Sequence, residues 1–117
     1  MAWGSSNTIL DHDTVDTTPS VSSEVTLNPG ERAHVQIMCA RGGTTNDLGI
    51  LVYSQVDGTN YDTIALVAFI IETATAATQY ASFIVADVYA FKVSVYSTGE
   101  TDNHDVHVYC RKDGVSL

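Results

Sequence analysis

Residues 20–40, SVSSEVTLNPGERAHVQIMCA, carry the pattern that most clearly indicates the fold class. Apolar and polar residues alternate in both halves of this stretch, over 21–27 and again over 33–39. A period of two is typical of a β-strand with one buried face. Asn28-Pro29-Gly30-Glu31 lies between the halves and predicts a turn, because proline presets φ and glycine accepts a positive φ. The stretch therefore predicts two consecutive strands that pair as a hairpin.

The same alternation recurs along the rest of the chain without any convincing helical period. Five further strands are predicted, in the segments 48–56, 61–71, 80–85, 89–96 and 106–110. Short strands at a spacing of about 8–12 residues are typical of sandwiches. We therefore expect residues 20–117 to form an all-β domain, an antiparallel β-sandwich of about seven strands that is immunoglobulin-like or jelly-roll-like.

Residues 1–19 differ in composition from the domain that follows. They are rich in Ser, Thr, Asn and Asp, and among their few large apolar side chains are Trp3, Ile9 and Leu10. A segment of this kind cannot bury enough apolar surface to offset its ordering entropy. It is predicted to be an extended N-terminal arm that becomes ordered on a neighbouring surface, with Trp3, Ile9 and Leu10 as interface residues.

The fourth predicted strand is apolar on both of its faces. Its run Ile64–Ile71 places large side chains on every position except two alanines. A strand in an antiparallel sandwich normally has one face in water. The second face is therefore covered either by the same chain or by another subunit. The second alternative makes Leu66 and Ile70 interface residues.

Charge and composition restrict the kinds of partner. The 117 residues hold 14 Asp and Glu against 5 Lys and Arg, for a formal charge of −9. Such a surface repels phosphate, so we expect no nucleic-acid partner and no docking on anionic membranes. The start of the chain lacks the basic and apolar regions of a secretory signal, and the longest apolar run is too short to cross a bilayer as a helix.

The two cysteines, Cys39 and Cys110, both lie in apolar alternating stretches. A disulfide between them is one alternative. Buried free thiols in a protein made in the cytoplasm are the favoured one.

Several polar groups have the residue types of metal sites without a convincing pattern. Asp11-His12-Asp13 with Asp16 lies in the predicted arm, where no second layer of partners would fix the ligands. Asp57, Asn60 and Asp62 lack the spacing of an EF-hand and are typical of a hairpin turn. His104 and His107 are three apart and so point to opposite faces of a strand. We expect no metal site, no cofactor and, since no catalytic motif is present, no enzymatic activity.

The chain resembles the small virion proteins of tailed bacteriophages. The resemblance covers most of the sequence and lies in "MAWGSSNTILDHDTVDTTPS", "SSEVTLNPGERAHVQI", "LVYSQVDGTNYDT", "SFIVADVYAFKVSV" and "RKDGVSL". Capsid decoration (cement) proteins are the best match in size, acidity and the extended arm. The resemblance implies a β-sandwich that is made in the host cytoplasm and binds the outer surface of the capsid. It supplies no contact residue.

The sequence thus predicts a structural virion protein that stabilises a capsid. Its predicted partners are the major capsid protein and copies of itself, with which it forms a dimer or trimer. A tail, neck or fibre component is one alternative. A carbohydrate-binding module is another, with Tyr53, Tyr96 or Tyr109 stacking on sugar rings.

Overall fold

In a computed structural model, which describes residues 7–40, 47–72, 78–99 and 104–113, the chain is an antiparallel β-sandwich. This confirms the predicted fold class. The described residues form nine strands instead of about seven. In chain order the strands are β1 (Asn7–Val15), β2 (Ser20–Val21), β3 (Val25–Thr26), β4 (Arg32–Ala40), β5 (Leu48–Gln55), β6 (Val67–Ile71), β7 (Gln79–Ala86), β8 (Ala90–Ser97) and β9 (His104–Asp113).

The strands form two sheets that face each other across the core. Sheet A has the order β1-β9-β4-β7, and sheet B has the order β2-β8-β5-β6, with β3 also paired to β8. Because apolar and polar residues alternate, each long strand has a face of apolar side chains that points into the core. The interior is mostly aliphatic, with Phe91, Ile37, Leu48 and Ile50 among its largest fully buried side chains. No helix within the described residues is long and apolar enough to cross a membrane.

The turn at Asn28–Glu31 is confirmed, but the predicted hairpin is wrong. The Glu31 backbone N–H donates to the Asn28 carbonyl at 2.9 Å, and Gly30 has a φ of 83°. The strands on either side belong to different sheets, since β3 pairs with β8 and β4 pairs with β9 and β7. Turn chemistry fixes a chain reversal, whereas the choice of partner strand depends on the packing of the whole core.

The first predicted strand is divided into β2 and β3. Between them Ser22 is buried, and its hydroxyl accepts a hydrogen bond from the Val93 backbone N–H at 2.9 Å. The Ser22 backbone N–H still donates to the Val93 carbonyl at 2.8 Å, so the hydroxyl takes the place of a backbone carbonyl as the acceptor of the Val93 N–H. The division and the presence of β1 account for the two additional strands.

Residues 7–15 of the predicted arm are a strand of sheet A. β1 pairs antiparallel with β9, with Leu10 opposite Val108. Val15 is fully buried in the core, and Ile9 and Leu10 pack against it. The sequence predicted that another molecule would order this segment. Residues 7–15 are instead held by their own domain, because the edge of β9 supplies the backbone partners and Val15 is buried in the core. Trp3 lies outside the described residues.

Both cysteines are buried free thiols. In the β4–β9 pair, Cys110 lies opposite Val35 and Cys39 lies opposite Val106. The thiols are thus four residues apart along β4, about 13 Å at the usual rise per residue, which is too far for a disulfide. Burial, with the nearby Asp105 carboxylate, raises the pKa of Cys39 to about 11. Burial also raises the pKa of Cys110.

Removing both thiols should have a modest effect on stability. The double variant Cys39→Ala, Cys110→Ala should lose about 1–3 kcal/mol of unfolding free energy, because two small apolar groups leave the core. Urea denaturation measures this loss, and the wild type with and without reductant is the control. A melting temperature that falls by about ten degrees on adding reductant alone, a shift that corresponds to more than about 1 kcal/mol in a domain of this size, would show that a disulfide stabilises the fold.

Candidate assembly surface

Two edge strands lie above each other on one side of the sandwich. β7 is the edge of sheet A and β6 is the edge of sheet B. Their inward-facing side chains meet across the core, where the rings of Phe69 and Phe83 contact edge-to-face with centroids 5.9 Å apart. We call this surface, residues 64–72 and 78–86, the β6–β7 side.

The β6–β7 side exposes large apolar groups. Eight large hydrophobic side chains are exposed in the described residues, and five of these belong to this side: Ile64 (82 %), Leu66 (52 %), Ile70 (48 %), Tyr80 (60 %) and Ile84 (54 %). Exposed apolar residues that are scattered singly need no explanation, whereas a cluster of them indicates an interaction surface.

The inward face of the two strands is also incompletely covered. Val67, Phe69, Ala81 and Phe83 pack against the core but are only partly buried. The opposite side of the sandwich, where β1 lies beside β2, is closed. There the Ser23 backbone N–H donates to the Ile9 carbonyl at 3.0 Å, and Val15 is fully buried. The sandwich is therefore closed along β1–β2 and open along β6–β7.

The β6–β7 side has few charged residues. The 23 residues from Ile64 to Ala86 contain Glu72 as their single charged residue and have no proline. Edge strands of soluble proteins are normally protected from pairing by lysines, prolines or bulges. On the closed side, by contrast, Asp11, Asp16 and Glu24 are all exposed. The unprotected edges, the apolar side chains and the lack of charge together identify the β6–β7 side as the candidate assembly surface.

The structure places the predicted interface residues at two separate locations. Leu66 and Ile70 lie on the β6–β7 side with their side chains exposed. Ile9 and Leu10 lie on β1, at the other edge of sheet A, where both are partly buried. Their participation in an interface remains a prediction.

The doubly apolar strand is shorter than predicted, since β6 begins at Val67 and not at Tyr61. Its faces are now assigned: Val67, Phe69 and Ile71 point inward, and Ala68 and Ile70 point outward. Leu66 precedes the strand and donates its backbone N–H to the Val52 carbonyl at 2.7 Å.

The sequence analysis did not single out Phe69, Phe83, Tyr80 or Ile84 as interface residues. The signal that could have found them is the absence of charge between residues 64 and 86. Alternation alone could not, because it does not show which strands lie at the edges of the sheets.

The acidic and imidazole groups of the sequence analysis are rearranged by the β1–β9 pairing. Asp11 lies opposite His107, and its carboxylate is 3.0 Å from His107 Nδ1. Asp105 lies 3.0 Å from the other ring nitrogen, Nε2. The three residues have metal-ligating atoms within 4.8 Å of one another. Both ring nitrogens of His107 thus face a carboxylate oxygen and not an open position, and we assign no metal to the cluster.

His104 and His107 lie on opposite faces of β9, as their spacing predicts. His104 is fully buried beside Cys39, with Sγ and Nδ1 4.0 Å apart, whereas His107 faces outward. One metal ion cannot reach both rings.

Asp57 serves the turn that follows β5. One of its carboxylate oxygens accepts the backbone N–H groups of Thr59 and Asn60 at 2.8 Å, and the other accepts the Asn60 side-chain amide at 3.0 Å. These hydrogen bonds, led by that from the Asn60 backbone, lower the pKa of Asp57. Gly58 takes the positive φ that the turn requires. The geometry supports a turn in preference to a calcium loop.

The three tyrosines considered for sugar binding do not share a surface. Tyr53 and Tyr96 lie on the outer face of sheet B, where the ring of Tyr96 covers Gly49. Tyr109 lies on the outer face of sheet A, stacked with His107. It lines a shallow cleft of about 690 Å³ together with His34, Gln36, Ser82, Ile84 and Arg111. The tyrosines therefore form no common aromatic platform.

Comparison with known proteins supports the fold and little else. No family model and no curated protein matches the chain. A solved structure of Bacillus endospore appendages, described as a novel family of disulfide-linked pili, is similar over 99 % of this chain and 93 % of its own, with a TM-score of 0.52 and 13 % sequence identity. At that identity the likeness shows a shared sandwich architecture.

Proposed function

We propose that this chain is a structural subunit that binds protein surfaces within a larger assembly and performs no chemistry. The observation that carries the proposal is the β6–β7 side, which combines two unprotected sheet edges, exposed apolar side chains and a single charge. A soluble protein that worked alone would gain nothing from such a surface and would risk aggregation. A subunit that buries it on assembly gains stability in proportion to the apolar area covered.

The assembly that we propose is a phage virion, with the chain on the outer surface of the capsid. The resemblance to small virion proteins supports this choice, as does the high negative charge, which keeps a subunit soluble before it assembles. The partners are then the major capsid protein and further copies of the chain. In this arrangement the N-terminal segment with Trp3 contacts the capsid, and the β6–β7 side contacts another subunit.

A filament subunit is the second candidate. It is favoured by the similarity to an endospore appendage described as a pilus, and by the open sheet edges, which could pair from one copy to the next. A filament requires two different surfaces that fit each other head to tail, whereas a capsid-bound protein can use a closed contact.

Deleting residues 2–6 tests the proposed capsid contact. β1 begins at Asn7, so the deletion should leave the unfolding free energy within about 0.5 kcal/mol of the wild type. It should nevertheless abolish binding to particles from which the chain has been stripped, measured by co-sedimentation. A deletion that extended to residue 16 would not be informative, because it removes β1 and the buried Val15.

Trp3→Ala is the matched point variant and should weaken binding in the same direction. Full binding by the deletion variant would contradict the role given to the N-terminal segment. Electron microscopy of the native assembly then separates the candidates: many copies over the head support the decoration protein, copies confined to the tail support the tail component, and fibres of this chain support the filament.

A further inference from the structure

We propose that two copies of this chain pair through their β6–β7 sides about a two-fold axis perpendicular to the sheets. The β7 strand of one copy then lies antiparallel to β7 of the other, and β6 lies antiparallel to β6. Sheets A and B both continue from one subunit into the next. This inference rests on the proposed function for the use of the β6–β7 side in assembly, and it adds the partner and the symmetry.

The geometry of the sandwich allows both strand pairs to form together. β6 and β7 lie on the same side, as the contact between Phe69 and Phe83 shows. Each is an edge strand, so one row of its backbone N–H and C=O groups has no partner strand within the described part of the chain. A two-fold axis that passes through both layers relates each edge strand to its own copy in antiparallel orientation, and one rotation therefore satisfies both edges.

The distribution of charge indicates that the partner of the β6–β7 side is the β6–β7 side of a second copy. Two molecules that each carry a formal charge of −9 repel each other wherever their acidic surfaces meet. Between Ile64 and Ala86 the chain has one charged residue, so contact between two β6–β7 sides brings the fewest charges together. Contact between a β6–β7 side and the β1–β2 side of another copy would instead remove the exposed carboxylates of Asp11, Asp16 and Glu24 from water against a stretch, residues 64–86, that has no lysine or arginine, which is costly.

The side chains of the surface fit this arrangement. Phe69 and Phe83 are partly buried in one copy and would be covered by the same pair of the other. Ile70 and Ile84 flank the edges on the outer faces of the two sheets, and each would contact the extended sheet of its partner. The contact is self-complementary, because both copies use the same surface and each contact between two different residues occurs twice, and it is closed at two subunits.

Charged substitutions at Ser82 test the two-fold axis. Ser82 is exposed and lies at the middle of β7, so in a symmetric pair it lies close to its own copy. Like charges that face each other across two strands are destabilising. In sedimentation equilibrium of the full chain, the wild type should form a dimer of the 12.6 kDa subunit. Ser82→Asp and Ser82→Lys should each weaken dimerisation by about tenfold or more, which corresponds to about 1.4 kcal/mol.

An equal mixture of the two variants should restore the dimer, because unlike charges then face each other. Thr8→Asp and Thr8→Lys, on the exposed β1 edge of the same sheet, are the matched controls and should dimerise like the wild type. A wild type that stays monomeric, or open polymers in place of dimers, would overturn the proposal. Failure of the mixture to recover would overturn the two-fold symmetry. These measurements need no particle, so a monomeric wild type that still binds its particle refutes the dimer and leaves the proposed function standing.

Discussion

Phe91→Ala is expected to lower the unfolding free energy by about 3–5 kcal/mol, the largest effect of any single truncation among the described residues. Phe91 is the largest fully buried side chain in the described residues, and it lies on β8, the strand of sheet B that pairs with β2, β3 and β5. Its removal leaves a cavity that stiff β-strands on both sides cannot close. Chemical denaturation followed by circular dichroism measures the loss.

Tyr89→Ala is the control for Phe91→Ala. Tyr89 is two residues away and about half exposed, so its truncation should cost less than about 1 kcal/mol. Equal losses for the two variants would mean that Phe91 does not occupy the core position described above.

Val67→Asp and Leu66→Asp are expected to separate folding from assembly. Val67 points inward and packs against the core, so a carboxylate there should reduce the unfolding free energy by about 2–4 kcal/mol. Leu66 is the adjacent residue and is 52 % exposed, so Leu66→Asp should change the unfolding free energy by less than about 0.5 kcal/mol. It should instead weaken self-association, because it places a charge on the β6–β7 side.

Both variants are measured by urea denaturation at low protein concentration and by sedimentation at high concentration. A folded Leu66→Asp variant that associates like the wild type would exclude Leu66 from the contact. An equal loss of stability in the two variants would mean that the chain covers both positions by itself.

The fold class and most of the strands could be predicted from the sequence. The alternation in residues 33–39 matches β4, with Val35 and Ile37 buried, because side chains on a strand point to opposite faces in turn. The Asn28–Glu31 and Asp57–Asn60 turns were equally predictable, since a proline, a glycine and a short polar side chain impose local conformations that need no tertiary contact. The spacing of His104 and His107, which is also a local property, correctly predicted that the two rings lie on opposite faces of the strand.

Which strands are neighbours and which are edges is known only from the three-dimensional structure. The sequence paired the strands on either side of Asn28–Glu31, whereas the core places them in different sheets. The sequence also predicted that residues 1–19 form an arm, whereas residues 7–15 pair with β9 and Val15 is buried in the core. Strand pairing depends on contacts between residues that are distant in the chain, and local periodicity contains no information on them. For the same reason the uncharged stretch from Ile64 to Ala86 became a candidate assembly surface only when β6 and β7 proved to be the two edges on one side of the sandwich.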